Sequence, residues 1–169
     1  MKTYNLYRHL IGLSLIMVLL SCEDDDGPIS ETVDFEADFF TTLVSFEEDA
    51  GCTAPRNFLN TQQGSGSASL VGNFTTQLTF CVNPANFEYE NVQGSFVAGN
   101  GDELFITGGG QVVPTNKEGY DLEFKDPFTI IGGTGQFENA TGNGLTESYV
   151  NMTTGRTDHI WTGTITTIR

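Results

Sequence analysis

Apolar and polar residues alternate with a period of two along much of the chain after residue 32. In the segment 33–39, four apolar residues alternate with three acidic ones. The segments 78–82 and 120–125 show a similar alternation. Successive side chains of a β-strand point to opposite faces, so each segment predicts a strand with one buried and one solvated face. No window of a dozen residues keeps the 3.6-residue period of a helix.

Turn signals divide this pattern into short strands. Asn83-Pro84 ends one strand, Gly99-Asn100-Gly101 favours a tight hairpin because these residues accept positive φ, and a last turn follows Met152. Short strands at regular spacing favour an antiparallel barrel or sandwich, and closure into a barrel removes the exposed edges. We therefore predict one all-β domain over residues 33–169. The predicted strands are 33–47, 56–63, 67–74, 76–82, 92–98, 102–113, 119–125, 127–131, 144–151 and 156–168.

A basic head and an apolar run open the chain. Lys2 and Arg8 precede eleven mostly apolar residues at 10–20. A helix needs about 20 apolar residues to cross a bilayer, so this run is too short for a stable membrane anchor. A basic head with an apolar stretch of this length is typical of a secretory signal, which we predict as a helical signal peptide at residues 1–21.

The residues around the predicted cleavage site resemble the lipobox of bacterial lipoproteins. Leu19-Leu20-Ser21-Cys22 places a small residue before a cysteine. The resemblance implies cleavage before Cys22 and acylation of its thiol by palmitate-like chains, which anchor a protein stably when several are present. The acidic run 23–26 resembles a signal for the cell surface, and its charge predicts a solvated tether over 22–32. We expect an outer-membrane lipoprotein exposed at the cell surface; an ordinary secretory signal with a chance cysteine is the alternative.

Two further cysteines, Cys52 and Cys81, remain after Cys22. Because the cell envelope is oxidising, two such cysteines usually pair, and we predict a disulfide between them. Free or metal-bound thiols are the alternative, but two cysteines without a nearby histidine make a poor zinc set. The sequence therefore predicts neither a metal site nor a cofactor.

The chain is strongly acidic, with a formal net charge of −15 at pH 7. Such a field repels nucleic acid and anionic lipid head groups. We therefore exclude nucleic acid as a partner and expect contact with the membrane only through the N-terminal lipid.

Three stretches occur in a distinctive order: SLVGNFTTQLTFCVNP at Ser69–Pro84, GNGDELFITGGG at Gly99–Gly110 and GGTGQFENATG at Gly132–Gly142. Together they resemble secreted barrels of the allene oxide cyclase-like group, whose architecture plant dirigent proteins share. The resemblance implies a calycin-like antiparallel barrel of about eight main strands around a central cavity. It also implies a homo-oligomer formed through the outer walls. It assigns no catalytic residue, because no motif places an acid of this chain in the catalytic role.

The third stretch predicts a structural turn rich in glycine. Gly132, Gly133 and Gly135 allow a sharp exit from a strand, and Phe137 can then plug one mouth of the barrel. Gly142 leaves room for the returning chain. A phosphate-binding loop is the alternative, but no helix follows whose N-terminus could hold an anion.

Two pairs of side chains are candidate ligand contacts. His159 and Trp161 share one strand face, as do Glu147 and Tyr149. On a cavity wall, the first pair could grip a ring and the acid could transfer a proton. The pattern favours a plainer interpretation, with His159 at the surface beside a half-buried Trp161 and with the other pair on the solvated side. Asp158 points away from its neighbour His159 and cannot form a dyad with it.

These observations favour a non-enzymatic role. The leading hypothesis is a barrel that binds a small apolar or aromatic molecule, since the 13 phenylalanines could line both a core and a pocket. A cofactor-free isomerase or cyclase acting on a lipid-like or phenolic substrate is one alternative, and it would need a buried carboxylate facing an open cavity. A structural or adhesive surface protein with a filled barrel is the other.

Overall fold

The computed structural model describes Gly27 and residues 29–168. The predicted signal peptide, Cys22 and most of the tether lie outside these residues. No helix in the described part is long and apolar enough to cross a lipid bilayer. The elements are β1 (Ser30–Glu48), β2 (Phe58–Ala68), β3 (Gly72–Val82), β4 (Glu88–Ala98), β5 (Glu103–Gly108), β6 (Gly110–Gln111), β7 (Val113–Pro114), β8 (Leu122–Phe124), β9 (Pro127–Gly133), a 3-10 turn (Gly135–Phe137), β10 (Thr141–Asn151) and β11 (Arg156–Ile168).

Eight of these strands form a closed antiparallel barrel in the order β1, β2, β3, β4, β5, β9, β10 and β11. The ring closes because β11 pairs with β1 on one side and with β10 on the other. An eight-stranded barrel has an interior just wide enough for side chains to fill. The predicted all-β class and the single antiparallel barrel are confirmed.

The two ends of the barrel differ. The closed end carries the start of β1, the end of β11, and the β2–β3, β4–β5 and β9–β10 connections. The open end carries the β1–β2, β3–β4 and β10–β11 connections and a longer excursion at 109–126. Within this excursion β6 pairs with β4, and β8 pairs with both β7 and β10. The excursion therefore extends part of the wall at the open end.

Aromatic side chains fill the interior toward the closed end. The Phe39 ring lies 5.6, 5.1 and 5.2 Å from the ring centroids of Phe74, Phe96 and Trp161. Such edge-to-face contacts stabilise a core beyond the area that they bury. The rings leave no room for a side chain at Gly144, where a Cβ would lie 2.6 Å from the nearest atom of the Phe128 ring.

The glycine-rich turn lies at the closed end. Gly132 and Gly135 have φ values of +127° and +55°, which favour glycine. A Cβ at Gly133 or Gly142 would come within 2.2 Å of a backbone oxygen of a neighbouring strand. Phe137, in the 3-10 turn, is buried in the aromatic core. The backbone at this end thus turns sharply and returns over the plug.

The turn between β2 and β3 lies later in the chain than the sequence predicted. The prediction ended one strand at residue 63 and began the next at 67, whereas β2 runs through Gly64 and Gly66 without a break. A Cβ at Gly64 would lie 1.8 Å from the Phe40 carbonyl oxygen, so these glycines serve the close approach of two strands. The turn comes at residues 69–71, where Leu70 has a φ of +62°.

Other strand boundaries also differ from the prediction. The predicted division between residues 74 and 76 is absent, since β3 runs unbroken over Gly72–Val82. The predicted strand 102–113 is interrupted at Gly109, because the chain leaves β9 after β5 and pairs with β4 as β6. Strand β4 begins at Glu88 rather than at residue 92. The predicted turn at Gly99–Gly101 is confirmed, and Gly101 has a φ of +90°.

A disulfide joins Cys52, in the β1–β2 connection, to Cys81 in β3, as predicted. Their Cα atoms are 5.5 Å apart, within the range that a disulfide spans without moving the backbone. The bond ties the longest hairpin connection at the open end to the wall of the barrel.

Replacing both cysteines by serine, in the double variant Cys52→Ser with Cys81→Ser, should destabilise the fold. The two residues are separated by 29 positions, and a loop of that length predicts a loss of about 3–4 kcal/mol in the free energy of unfolding. Urea unfolding with and without reductant measures this loss. The double variant should be insensitive to reductant. Unlinked Cys52 and Cys81 peptides in a non-reducing digest of the native protein would contradict the prediction.

Candidate functional site

An apolar chamber, here called the vestibule, occupies the open end of the barrel. Its volume is about 220 Å³. Strands β1, β2, β3, β8, β10 and β11 and three connecting segments contribute to its wall. The lining residues are Leu43, Phe46, Asn60, Gln62, Phe80, Val82, Phe87, Val112, Leu122, Phe124, Val150, Met152, Gly155 and Thr157.

A smaller inner chamber lies between the vestibule and the aromatic core. Its volume of about 30 Å³ is enough for one or two water molecules. Gln62, Phe80, Val112 and Phe124 line both chambers and form the boundary between them. His159 and Trp161 are among the other residues of the inner wall. The interior is therefore packed toward the closed end and progressively open toward the other.

A chain of hydrogen bonds runs through the buried wall of these chambers. Trp161 Nε1 donates to Ser148 Oγ at 3.1 Å, and Ser148 Oγ lies 2.8 Å from His159 Nδ1. On the other side of the ring, His159 Nε2 lies 3.0 Å from Thr41 Oγ1. The Thr41 hydroxyl donates to Gln62 Oε1 at 2.6 Å. The chain thus connects the core to a side chain of the vestibule.

The chemistry of the two end groups sets the direction of every bond in this chain. Thr41 uses its only proton on Gln62 Oε1, so it accepts from His159 Nε2. Nδ1 of the neutral imidazole then accepts from the Ser148 hydroxyl, which itself accepts from the Trp161 indole. Each buried hydroxyl and each ring nitrogen of the chain has a partner, as a buried polar network requires.

The imidazole of His159 stays uncharged. It is 1% exposed, and its ring stacks on Phe39 with centroids 4.3 Å apart. Burial lowers its pKa from the usual 6.5 to about 3, because the charged form would lose its hydration. Asp158 opposes this shift only weakly; its carboxylate binds Arg156 and the Tyr120 hydroxyl. His159 therefore stays neutral near pH 7 and orients its neighbours through the hydrogen bonds of its two ring nitrogens.

The placement of His159 and Trp161 corrects the interpretation that the sequence favoured. Instead of a surface histidine beside a half-buried tryptophan, both side chains lie inside the barrel, and Trp161 is only 3% exposed. The polar partners that make burial of the imidazole tolerable are Thr41 and Ser148. Thr41 lies 118 positions away in the chain. No local pattern could have indicated this pairing.

Glu147 and Tyr149 lie on the outer wall and line neither chamber. The Tyr149 hydroxyl donates to Glu147, and Lys117 Nζ sits 3.3 Å from the centroid of the Tyr149 ring. The two residues share a strand face, as the sequence predicted, but it is the face turned away from the cavity. The loop that contains Lys117 covers Tyr149, so this pair fastens the 109–126 excursion to β10.

Asn60 and Gln62 are the vestibule residues that the sequence analysis missed. They belong to the inward face of β2, which continues through Gly64 and Gly66 toward the closed end. That face carries few apolar residues, so it does not show the alternation that marks the inward side of β1. Within the described residues no group of three or more His, Cys, Asp or Glu side chains could hold a metal ion.

No protein-family model and no curated protein sequence matches this chain. Solved structures do match it in fold. A pterocarpan synthase dirigent protein superposes with a TM-score of 0.52 at 15% identity, covering 82% of this chain and 86% of its own. A second pterocarpan synthase dirigent protein gives 0.50 at 16% identity, over 81% and 94% of the two chains. The barrel therefore has the fold of dirigent proteins.

Acid should destabilise the fold through His159. Its pKa is about 3 in the folded state against 6.5 for the free group, so the unfolded chain takes up the proton first as the pH falls. The free energy of unfolding should therefore fall by about 1.4 kcal/mol per pH unit between roughly pH 6 and pH 3 from this group alone. Urea unfolding across this pH range measures the slope.

The variant His159→Gln separates this contribution from those of the carboxylates. The amide cannot titrate, so the variant should lose the His159 part of the slope whatever its stability at neutral pH. Parallel pH profiles for the wild type and the variant would show that the imidazole is not the titrating group.

Proposed function

We propose that this protein is a cell-surface lipoprotein whose barrel binds a small apolar or aromatic molecule in the vestibule. The observation that carries the proposal is the apolar chamber at the open end, whose wall also includes the polar side chains of Asn60, Gln62 and Thr157. Small-molecule sites combine a concave apolar surface with a few well-placed polar groups. The vestibule has this composition.

Large apolar side chains at the rim support binding there. Leu43, Phe46, Phe87 and Met152 are 47, 40, 39 and 61% exposed, although they surround one opening. A cluster of exposed apolar residues costs free energy in water and commonly marks a binding surface. A molecule in the vestibule would cover part of this surface.

The backbone at Phe87 provides independent support. This residue has a φ of +59°, which is unfavourable for a bulky side chain. A fold selected for stability alone would favour glycine or asparagine at such a turn. Strain of this kind is commonly retained where a side chain is needed for binding. The Phe87 ring lines the vestibule.

The dimensions of the vestibule limit the ligand. Pockets for drug-sized molecules occupy about 300–1,000 Å³, which is more than the 220 Å³ available here. The expected ligand is therefore a single ring or a short chain. Its apolar part would lie against Phe80, Phe124 and the rim.

The tether would point the vestibule away from the membrane. Strand β1 begins at the closed end, and the vestibule opens at the opposite end. A chain anchored through Cys22 would therefore hold the closed end toward the lipid. The ligand would then enter from the surrounding medium.

The two rival functions receive less support from the structure. An isomerase or cyclase needs a buried carboxylate facing the substrate, but no Asp or Glu among the described residues lines either chamber. The solved barrels of the same fold are pterocarpan synthase dirigent proteins, which keeps a substrate-guiding role as the second candidate. A purely structural barrel would not need the exposed apolar rim.

Placing a charge in the vestibule should weaken binding of an apolar ring. Ethylbenzene serves as the probe, and fluorescence of Trp161, the only tryptophan of the chain, reports binding. We expect saturable binding to the wild type and at least about tenfold weaker binding to Val150→Glu, because the charge resists losing water. Leu145→Glu is the matched control on the outer face of the same strand, where the residue is 58% exposed. Equal affinity of both variants, or no saturable signal with the wild type, would contradict the proposal.

Lipid anchoring is tested by Cys22→Ser in a bacterial host. The variant should leave the membrane fraction, because the acylated thiol is the proposed anchor. Ser21→Ala keeps a small residue before the cysteine and should stay membrane-bound. Protease treatment of intact cells then tests exposure of the wild-type chain at the surface. Unchanged membrane association of Cys22→Ser would show that another segment anchors the protein.

A further inference from the structure

Two amide side chains lie next to each other on the inward face of β2. Asn60 and Gln62 both line the vestibule, and Gln62 also borders the inner chamber. Across the β2–β3 ladder they pair with Phe80 and Leu78, and across the β1–β2 ladder with Phe46 and Leu43. Two polar side chains therefore stand in an otherwise mainly apolar wall.

Asn60 presents an unused acceptor. Its Oδ1 atom is buried and has no hydrogen-bond partner among the described residues. A buried polar atom without a partner destabilises a fold, so native structures satisfy most of them. A leucine at this position would fit an apolar wall without that penalty. The retained amide therefore indicates a partner that occupies the vestibule.

Gln62 presents an unused donor. Its Oε1 atom is committed to the Thr41 hydroxyl, which donates to it at 2.6 Å. The orientation of the amide is thereby determined. Within the described part of the chain its Nε2 has no hydrogen-bond partner, which leaves its protons for a molecule in the chambers.

We propose that Asn60 and Gln62 select a ligand with a neutral hydroxyl group, which donates to Asn60 Oδ1 and accepts from Gln62 Nε2. This inference rests on the proposed binding function and specifies its head group. A hydroxyl is the smallest group that donates and accepts at once. No Lys, Arg, Asp or Glu among the described residues lines either chamber. A charged head group would therefore lose its hydration without gaining a counter-charge.

Three probes of similar size separate the head group from the ring. Benzyl alcohol can donate and accept, benzyl methyl ether can only accept, and ethylbenzene can do neither. Titration of the full chain, followed by Trp161 fluorescence, gives each dissociation constant. We expect benzyl alcohol to bind at least about tenfold more tightly than the ether, because a site built to bond a hydroxyl rejects the analogue that lacks it.

Variants of the amide pair test which residues carry this preference. Asn60→Leu should reduce the preference for the alcohol over the ether to less than about threefold, because it removes the acceptor that only the alcohol can use. Gln62→Met should instead weaken the alcohol and the ether together relative to ethylbenzene, because both oxygens accept from Gln62 Nε2. Asn60→Leu should also raise Tm, since the unpaired acceptor is gone. Thr76→Val is the matched control: Thr76 Oγ1 is also buried without a partner but lines neither chamber. It should raise Tm and leave the preference unchanged.

The outcomes distinguish this inference from the proposed function. Failure of all three probes to bind the wild type would overturn the binding function itself. Binding of ethylbenzene without any preference for the alcohol would leave the pocket in place and overturn the head-group inference. A preference for the alcohol over the ether that survives in Asn60→Leu, or unchanged binding of both oxygen-containing probes to Gln62→Met, would also overturn it. A lower Tm for Asn60→Leu would show that the amide serves the fold instead.

Discussion

The pairing of β11 with both β1 and β10 is the constraint on which the rest of the structure depends. Once the sheet closes, the number of strands sets the width of the interior, and every inward side chain must share that space. A large ring on one strand then requires glycine at the paired position of the neighbouring strand. Gly144 against Phe128 and Gly66 against Phe39 meet this requirement. The frequent glycines of the chain thus include members of the core as well as turn residues.

The closed interior is divided along its axis into a part that stabilises and a part that is available to a ligand. Toward the closed end, stacked and edge-to-face rings and the Phe137 plug fill the interior. Toward the open end, apolar side chains remain exposed at the rim, and Asn60 Oδ1 is buried without a partner among the described residues. Stability is concentrated at the end of the barrel where β1 begins, β11 ends and the glycine-rich turn lies. The vestibule keeps features that cost stability.

The hydrogen-bond chain from Trp161 to Gln62 links these two parts. Its buried members are neutral, so they avoid the large penalty of a buried charge. Phe39 stacks on one side of the His159 ring, and Thr41 and Ser148 occupy its two nitrogens. The imidazole is thereby held in one tautomer, and through Thr41 it sets the orientation of the Gln62 amide. A residue that looked like a lone surface histidine is the centre of the polar interior.

The sequence by itself determined the all-β class, the barrel, the pairing of Cys52 with Cys81 and the turn at Gly99–Gly101. Strand alternation, the two cysteines that remain after Cys22 and positive-φ residues are local or compositional signals, and they do not depend on which strands become neighbours. Only the tertiary structure decided which faces turn inward. It brought Thr41 and Ser148 to His159 and assigned Glu147 and Tyr149 to the outer wall. It also made Asn60 and Gln62 part of a cavity, because a polar strand face shows no sign of burial until closure places other strands around it.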